Sequence, residues 1–449
     1  MANETTGTAA LRAPSGTHDV LWPESSRWEA LLGLFAGRAR RAGFGLTLTP
    51  MFEDARLFHR GIGDDSDVVN KEMYEFTDRG GRAVALRPEG TASVVRAFVQ
   101  HHPPTPWKAW YATPAFRYER PQAGRYRQHH QLGVEVLGTE DPDLDVEVVA
   151  LAAGFYRDLG LERIELAVNS MGCAEDRPRY VAALRDFLAE HIAELCDEHR
   201  ERLAGGTLVN ALRVLDCKRP PCRAATEGAP RLVDFLDDAC AGHFARVLAG
   251  LEALGIAHRL EPRLVRGLDY YTRTTFEFAG LALDSAQNAV GGGGRYDGLA
   301  EAIGGPATSG IGFGIGVERL LLACDAEGCF AVSPAAADAF VIDLTDGSEA
   351  RDLVDELRRA GLVALRAYDG RSPKSQMKQA DKSGARFAVI IGDEEVSGGV
   401  VTLRPLRDDG EQQTVPRPDI VARLTQLSEQ ADQSEQAGQP GPSRRSDEG

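Results

Sequence analysis

From position 310 the chain reads Gly-Ile-Gly-Phe-Gly-Ile-Gly, with glycine at every second place and a large apolar residue between. A period of two belongs to a strand, so Ile311, Phe313 and Ile315 turn to one face while the other face carries no side chain. Such a strand needs a core on its apolar side and a close approach on its bare side, by a flat ligand such as adenine or by packed backbone. The residues alone leave both open. No Gly-Lys-Ser/Thr follows, which excludes a Walker A loop, and no dinucleotide fingerprint surrounds the run. Four glycines at 291–294, followed by Arg295-Tyr-Asp, form a second point of close approach with the same two readings.

Around these glycines the pattern predicts strands over 83–87, 107–119, 131–137, 164–169, 264–278 and 310–315, without a regular strand–helix repeat. That favours an α+β fold, a largely antiparallel sheet with helices packed around it. Within 131–137, Gln131, Gly133 and Glu135 share a polar face, and Leu132, Val134 and Val136 the core face. Ser25 and Ser26 precede an apolar pattern at Trp28, Leu31, Leu32 and Phe35, which predicts a capped amphipathic helix ending near Gly43. A short strand over 46–49 follows, stopped by Pro50. Between 176 and 258 the apolar spacing becomes helical, which predicts a helical insertion in the sheet domain at 14–330. A Pro/Ala-rich linker at 331–338 leads to a unit at 339–426 whose strands and helices alternate, predicting a small α/β domain with its own parallel sheet. Residues 1–13 and 427–449 are too polar to offset their ordering entropy and are expected to be disordered.

The chain has 449 residues, 43% hydrophobic and 26% charged, enough for a large core in a multidomain soluble protein. Its net charge of -16 disfavours indiscriminate attachment to polyanions. Seven scattered cysteines do not form a disulfide framework, and neither a signal peptide nor an 18-residue apolar run is present, so the expected setting is the cytoplasm, without a membrane. Cys217-Lys-Arg-Pro-Pro-Cys222 resembles a zinc knuckle only loosely, with no second Cys or His pair recognised, and no protein-borne metal site is expected. His129 and His130 read as solvated loop residues.

Four clusters concentrate Arg, Glu, Gly and Tyr: Arg87-Pro-Glu-Gly-Thr91, Phe116-Arg-Tyr-Glu-Arg with its continuation to Arg127, Arg266-Gly-Leu-Asp-Tyr-Tyr271, and 310–319 ending in Glu318-Arg319. Arg117, Arg125, Arg127, Arg266 and Arg319 together are a guanidinium set able to bind a triphosphate at several oxygens. In order and context the clusters resemble the class II aminoacyl-tRNA synthetases, and among them the histidyl family, over about 16–424. Motif 1 corresponds to 43–50, motif 2 to 116–133 and motif 3 to 310–319; 266–271 and 86–91 carry the histidyl character. Ser15 stands before Gly16-Thr17, where the family often has a basic residue.

The resemblance implies activation of L-histidine by ATP and transfer to tRNA(His), by a homodimer formed through motif 1. Arg117 would hold the α-phosphate and the substrate carboxylate, and Arg266 would approach that phosphate from the opposite side; these two are the implied catalytic residues. Arg319 and Arg125 would hold the γ-phosphate, with Glu119 in the same ATP site and Mg2+ bridging the phosphates. Glu89, Gly90, Thr91 and Gln131 would take the α-ammonium end of histidine, and Glu135, Tyr270 and Tyr271 the imidazole. The final domain resembles an anticodon-binding domain, with Arg366, Arg371, Lys374, Lys378, Lys382 and Arg386 facing tRNA, although taken alone those charges also suit a solvated helix. Rival readings are a noncatalytic paralogue, the regulatory subunit of ATP phosphoribosyltransferase, and a synthetase for another amino acid.

Overall fold

The computed structural model describes residues 10–63, 66, 68–206, 211–265, 268–284, 288–332, 336–408 and 410–438. The chain divides into two compact units, Met1–Val332 and Ser333–Gly449. In the first unit run strands β1 (Gly45–Leu46), β2 (Phe52–Asp54), β3 (Tyr74–Thr77), β4 (Ala83–Leu86), β5 (Trp107–Phe116), β6 (Gln128–Leu137), β7 (Ile164–Ser170), β8 (Arg259–Leu260), β9 (Thr272–Gly280), β10 (Ala289–Arg295) and β11 (Gly310–Gly316). Among the described residues, eight of them pair in the order β1-β5-β6-β11-β10-β9-β7-β8, antiparallel except for the two outermost pairs. A smaller sheet, β2-β4-β3, stands apart.

Alternation decides what each face of the large sheet does. Leu132, Val134 and Val136 of β6, Ile311, Phe313 and Ile315 of β11, and Phe276 and Phe278 of β9 all enter one core with the helices Glu24–Arg41, Pro142–Asp158, Asp238–Ala253 and Val317–Glu327. The opposite face carries Gln131, Glu135 and Glu277 beside the bare positions of β11.

Several expectations are corrected. The first helix starts at Glu24, behind Pro23, so Ser25 and Ser26 lie inside it and no side chain caps it. The strand after it is only Gly45–Leu46. The described residues of 264–271 are not strand: Leu264 and Tyr271 are drawn into the core of the insertion, and β9 begins at Thr272. The glycine run at 291–294 is itself a central strand. The insertion has its own core around Tyr180, Leu184, Leu212 and Leu232, yet its last helix, Asp238–Ala253, packs Phe244, Val247 and Leu251 into the core of the sheet.

The second unit contains β12 (Ala339–Asp343), β13 (Ala364–Arg366), β14 (Phe387–Ile391), β15 (Val400–Pro405) and β16 (Gln413–Pro416), ordered β13-β12-β14-β15-β16. Only β13, β12 and β14 are parallel; β15 and β16 add antiparallel, so the sheet is mixed. Along β12, Ala339 and Val341 enter one core and Phe340 and Ile342 the other, as a sheet covered on both faces requires. The helix that begins at Ile420 continues to Gly438, past the expected start of the polar tail, because Leu424 and Leu427 still pack into the core. Among the described residues no helix is long and apolar enough to cross a membrane.

Candidate active site

The alternate glycines of β11 are used in two different ways. A Cβ on Gly310 would stand 2.2 Å from the Tyr296 ring, and one on Gly312 would stand 1.8 Å from Oε2 of Glu135. A Cβ on Gly314 would meet only the Tyr111 hydroxyl, at 3.9 Å, and one on Gly316 nothing within 4 Å. Half of the bare face is therefore filled by the protein, and half is open.

The filled half is built on Glu135, which pairs with Gly312 across β6 and β11 and has no exposed surface. Its Oε1 accepts from Thr91 Oγ1 at 2.7 Å and from the Tyr111 hydroxyl at 3.1 Å, and its Oε2 from the Tyr296 hydroxyl at 2.5 Å. Such bonds contribute about 1.5–3 kcal/mol each when the acceptor is charged, yet burial outweighs them and pushes the Glu135 pKa up to about 8. Glu89, also buried, accepts from the backbone N–H groups of Thr91 (2.6 Å) and Ala92 (2.8 Å) and so caps the helix Thr91–His101. Burial raises its pKa as well. Gln131 Oε1 accepts from the Gly90 N–H at 3.0 Å, tying β6 to the same helix start. Tyr270 lies between Tyr271 and Tyr296, with ring centroids 4.7 and 5.9 Å away. Arg87 has a structural role: buried, it donates to the carbonyls of Pro114, Thr49 and Pro50 and anchors the small sheet.

The open half carries three guanidiniums among three carboxylates. Gly314, Gly316, Arg117, Arg125, Arg319 and Glu119 line a cavity of about 240 Å³. Arg117, whose Nε donates to the Pro88 carbonyl at 2.9 Å, also lines a neighbouring cavity of about 510 Å³ together with Arg125, Arg177 and Tyr271. Arg125 pairs with Glu119 at 3.1 Å. Arg319 Nη1 donates to the Ala289 carbonyl at 2.8 Å, and burial followed by the nearby Arg125 lowers its pKa, although a guanidinium remains charged. Arg266 lies outside the described residues; Val265, Leu268 and Asp269, on either side of it, line the larger cavity.

His129 and His130 are not solvated loop residues. Both sit on β6; His130 Nδ1 lies 2.8 Å from Glu318, and His129 faces the smaller cavity, where burial and Arg117 push its pKa down to about 3 and keep the imidazole neutral. Tyr111 and Tyr296 escaped the sequence reading. Tyr296 had a signal, since it directly follows the glycine run and Arg295; Tyr111 had none, being one aromatic among several on an apolar strand. The whole arrangement offers an enclosed pocket of hydroxyls and carboxylates beside an open floor edged by three arginines, suited to a small zwitterion next to a polyphosphate.

Comparison with known proteins identifies the family. The family model described as histidyl-tRNA synthetase matches residues 16–320, and that of an anticodon-binding domain matches 337–427. The histidine–tRNA ligase of Rhodococcus erythropolis is 48% identical over 428 residues, covering 94% of this chain and 99% of that protein. That of Desulforudis audaxviator is 48% identical over 418 residues, covering 92% and 98%. The crystal structure of the S. aureus apo histidyl-tRNA synthetase superposes with a TM-score of 0.77 at 35% identity, covering 92% of this chain and all of that one. With the family model, the fold and near-complete alignment in agreement, the chain belongs to the histidyl-tRNA synthetase family.

Proposed function

We propose that the chain is a histidine–tRNA ligase working in two steps. A carboxylate oxygen of histidine attacks the α-phosphorus of ATP, the bond from that phosphorus to the bridging oxygen breaks, and pyrophosphate leaves behind histidyl-adenylate. The terminal ribose hydroxyl of tRNA(His) then attacks the histidyl carbonyl carbon and AMP leaves, the hydroxyl proton passing to the adenylate's own phosphate. No enzyme nucleophile is needed. The observation that carries this reading is the convergence of Arg117, Arg125 and Arg319 on a glycine-floored cavity beside the Glu135 pocket.

In this mechanism Arg117 holds the α-phosphate and the histidine carboxylate from its position on both cavities, and Arg266 adds a second cation there. Arg319 and Arg125 take the γ-phosphate. Glu119 and Glu277, which line that cavity, would hold a Mg2+ brought by ATP, and the ion would offset phosphate charge there. The α-ammonium goes to Glu89, Thr91 and Gln131, because a carboxylate that already caps a helix keeps lone pairs for a further donor. Glu135, Tyr270 and Tyr271 orient the imidazole, and an apolar side chain there would leave a buried carboxyl poorly paired.

Residues 14–330 form the catalytic domain in this reading and 339–426 the anticodon-binding domain. Lys374, Lys378 and Lys382 recur at helical spacing on the exposed face of Pro373–Lys382, and Arg366, with its guanidinium 4.7 Å from the Tyr368 ring, borders a groove of about 800 Å³ that includes Arg371. Stacking surfaces and cations of this kind suit unstacked anticodon bases. Arg386 instead turns inward to Asp338 at 3.6 Å. The exposed Leu46, Leu48, Met51 and Phe52 in and beside motif 1 support a homodimer through that segment. The reading places the enzyme in the cytoplasm.

Histidine-dependent exchange of pyrophosphate into ATP, with other amino acids as controls, tests the proposal; absence of exchange from folded protein overturns it. Arg266→Ala should lower exchange by about 10²–10³-fold with thermal unfolding unchanged. Deleting residues 333–449 should spare exchange and abolish tRNA charging.

A further inference from the structure

Two groups of potential metal donors occur among the described residues, one where the insertion begins and one within it. Cys173, Asp176, Asp237 and Cys240 form one. Its carboxylates are already engaged: Asp176 accepts from the N–H groups of Cys173 (3.2 Å) and Asp237 (2.8 Å) and from Arg179 (3.0 Å), while Asp237 caps the helix Asp238–Ala253 through the Cys240 N–H at 2.7 Å. That group is a hydrogen-bonded knot joining two helix starts.

The second group differs. Cys196, His199, Cys217 and Cys222 bring three sulfurs and one imidazole nitrogen within 4.8 Å of one another, mostly out of solvent. His199 Nδ1 lies 3.4 Å from Sγ of both Cys196 and Cys222. For a tetrahedral Zn2+ with bonds of about 2.3 Å to sulfur and 2.0–2.1 Å to nitrogen, the S–N edge is about 3.6 Å and the S–S edge about 3.8 Å. The two measured S–N contacts already match that edge, and all four donors lie within 4.8 Å of one another. Two features around them also fit anionic sulfur: the Cys196 N–H points to Cys222 Sγ at 3.3 Å, and Arg219 Nη1 to Cys196 Sγ at 3.4 Å. Backbone and guanidinium donors directed at thiolates are what the outer shell of a metal site supplies.

We infer that Cys196, His199, Cys217 and Cys222 form a structural Zn2+ site of the Cys3His type. The order Cys-x2-His-x17-Cys-x4-Cys contains the second pair that the sequence reading lacked, and four protein ligands leave no open position for catalysis. On binding, Zn2+ displaces the three thiol protons to solvent and takes the imidazole in its neutral form. The site lies where the fold most needs a fastener. From Ile192 to Ala225 the described elements are short, the helices Asp197–Ala204 and Pro220–Ala225 and single 3-10 turns, joined over a small core. His199 and Leu212 from this region also line the larger cavity next to Arg117 and Tyr271, so the ion would fix one wall of the chamber in which the adenylate is made.

Elemental analysis of the full-length protein, purified under reducing conditions and dialysed, should find about one Zn2+ per chain. Cys217→Ser and Cys222→Ser should lose it, and Cys173→Ser and Cys240→Ser should keep it. Metal-free protein loaded with Co2+ should show the visible bands of a tetrahedral site and the near-ultraviolet thiolate band; His199→Cys should keep the metal and shift those bands. Chelation should speed tryptic cleavage at Arg200, Arg202 and Lys218 by about tenfold or more. Should the serine variants fail to fold, Co2+ titration of the wild-type chain decides alone. Neither Zn2+ nor tetrahedral Co2+ at stoichiometric level, full retention by a folded Cys217→Ser variant, or a disulfide between these cysteines in freshly isolated protein would each overturn the assignment.

Discussion

The two ends of β11 carry the same residue at the same spacing and do opposite things. At Gly310 and Gly312 the missing side chains make room for Tyr296 and Glu135, and the space is sealed. At Gly314 and Gly316 they leave a floor under Arg117, Arg125 and Arg319. The difference shows that alternate glycines mark a face that something must approach, and the flanking strands decide whether that is the protein's own pocket or a ligand. In the proposed mechanism it also separates two kinds of recognition: a small amino acid would be judged by enclosed hydroxyls and carboxyls, and a polyphosphate by guanidiniums at an open surface.

The comparison breaks most severely if the cations are dispensable. Arg319→Ala should lower histidine-dependent pyrophosphate exchange by about 10²–10³-fold while leaving the thermal midpoint near that of the parent; an effect below threefold would remove Arg319 from the nucleotide site. Next comes a paired test along one strand. Gly312→Ala puts a methyl into Glu135 and should cost about 1–3 kcal/mol of stability, measured by denaturant unfolding. Gly316→Ala has room and should leave stability unchanged, yet raise the KM for ATP about tenfold by lifting the nucleotide from its floor. Equal stability losses would mean that the two ends do not differ. A further effect concerns pH. The Glu135 pKa is raised in the folded chain from its ordinary 4.5 to about 8, so the folded state holds the proton more tightly than the unfolded chain. Its contribution to stability is therefore fully present below about 4.5 and is lost as pH rises to about 8. Glu135→Gln should flatten the unfolding free energy across that window while weakening histidine binding; an unchanged slope would show that Glu135 does not titrate there.

Much of the large sheet was legible because its strands alternate: Leu132, Val134 and Val136 announce a core face, and Gln131 and Glu135 share the other. Where the pattern failed, tertiary packing had overruled it. Four consecutive glycines have no alternation to read, yet they form the central strand β10, where a Cβ on Gly293 would meet the Gly312 carbonyl at 2.0 Å. Leu264 and Tyr271 look like strand residues but are held by the insertion's core. In the last unit, strand–helix alternation up to 391 suggests a parallel sheet, and the turn at Gly399, with φ at 64°, sends β15 back antiparallel. The motif arginines and the Glu89–Gln131–Glu135 group were visible as residue types, but their division between a sealed pocket and an open floor depends on Tyr111 and Tyr296, which reach the site from other strands. Cys196 and His199 escaped notice because 17 residues separate His199 from Cys217.

On β6 and β11 the core and the site are interleaved, the core taking the even positions of β6 and the odd positions of β11. A single inserted or deleted residue between 131 and 137 would exchange the two sets, burying Gln131 in the apolar core and bringing Leu132 and Val134 into the pocket. Drift at these strands is thus confined to substitution: length changes must accumulate in the connections, as the large insertion between β7 and β8 illustrates. One backbone register serves as the reading frame for folding and for recognition alike, and neither can be shifted without the other.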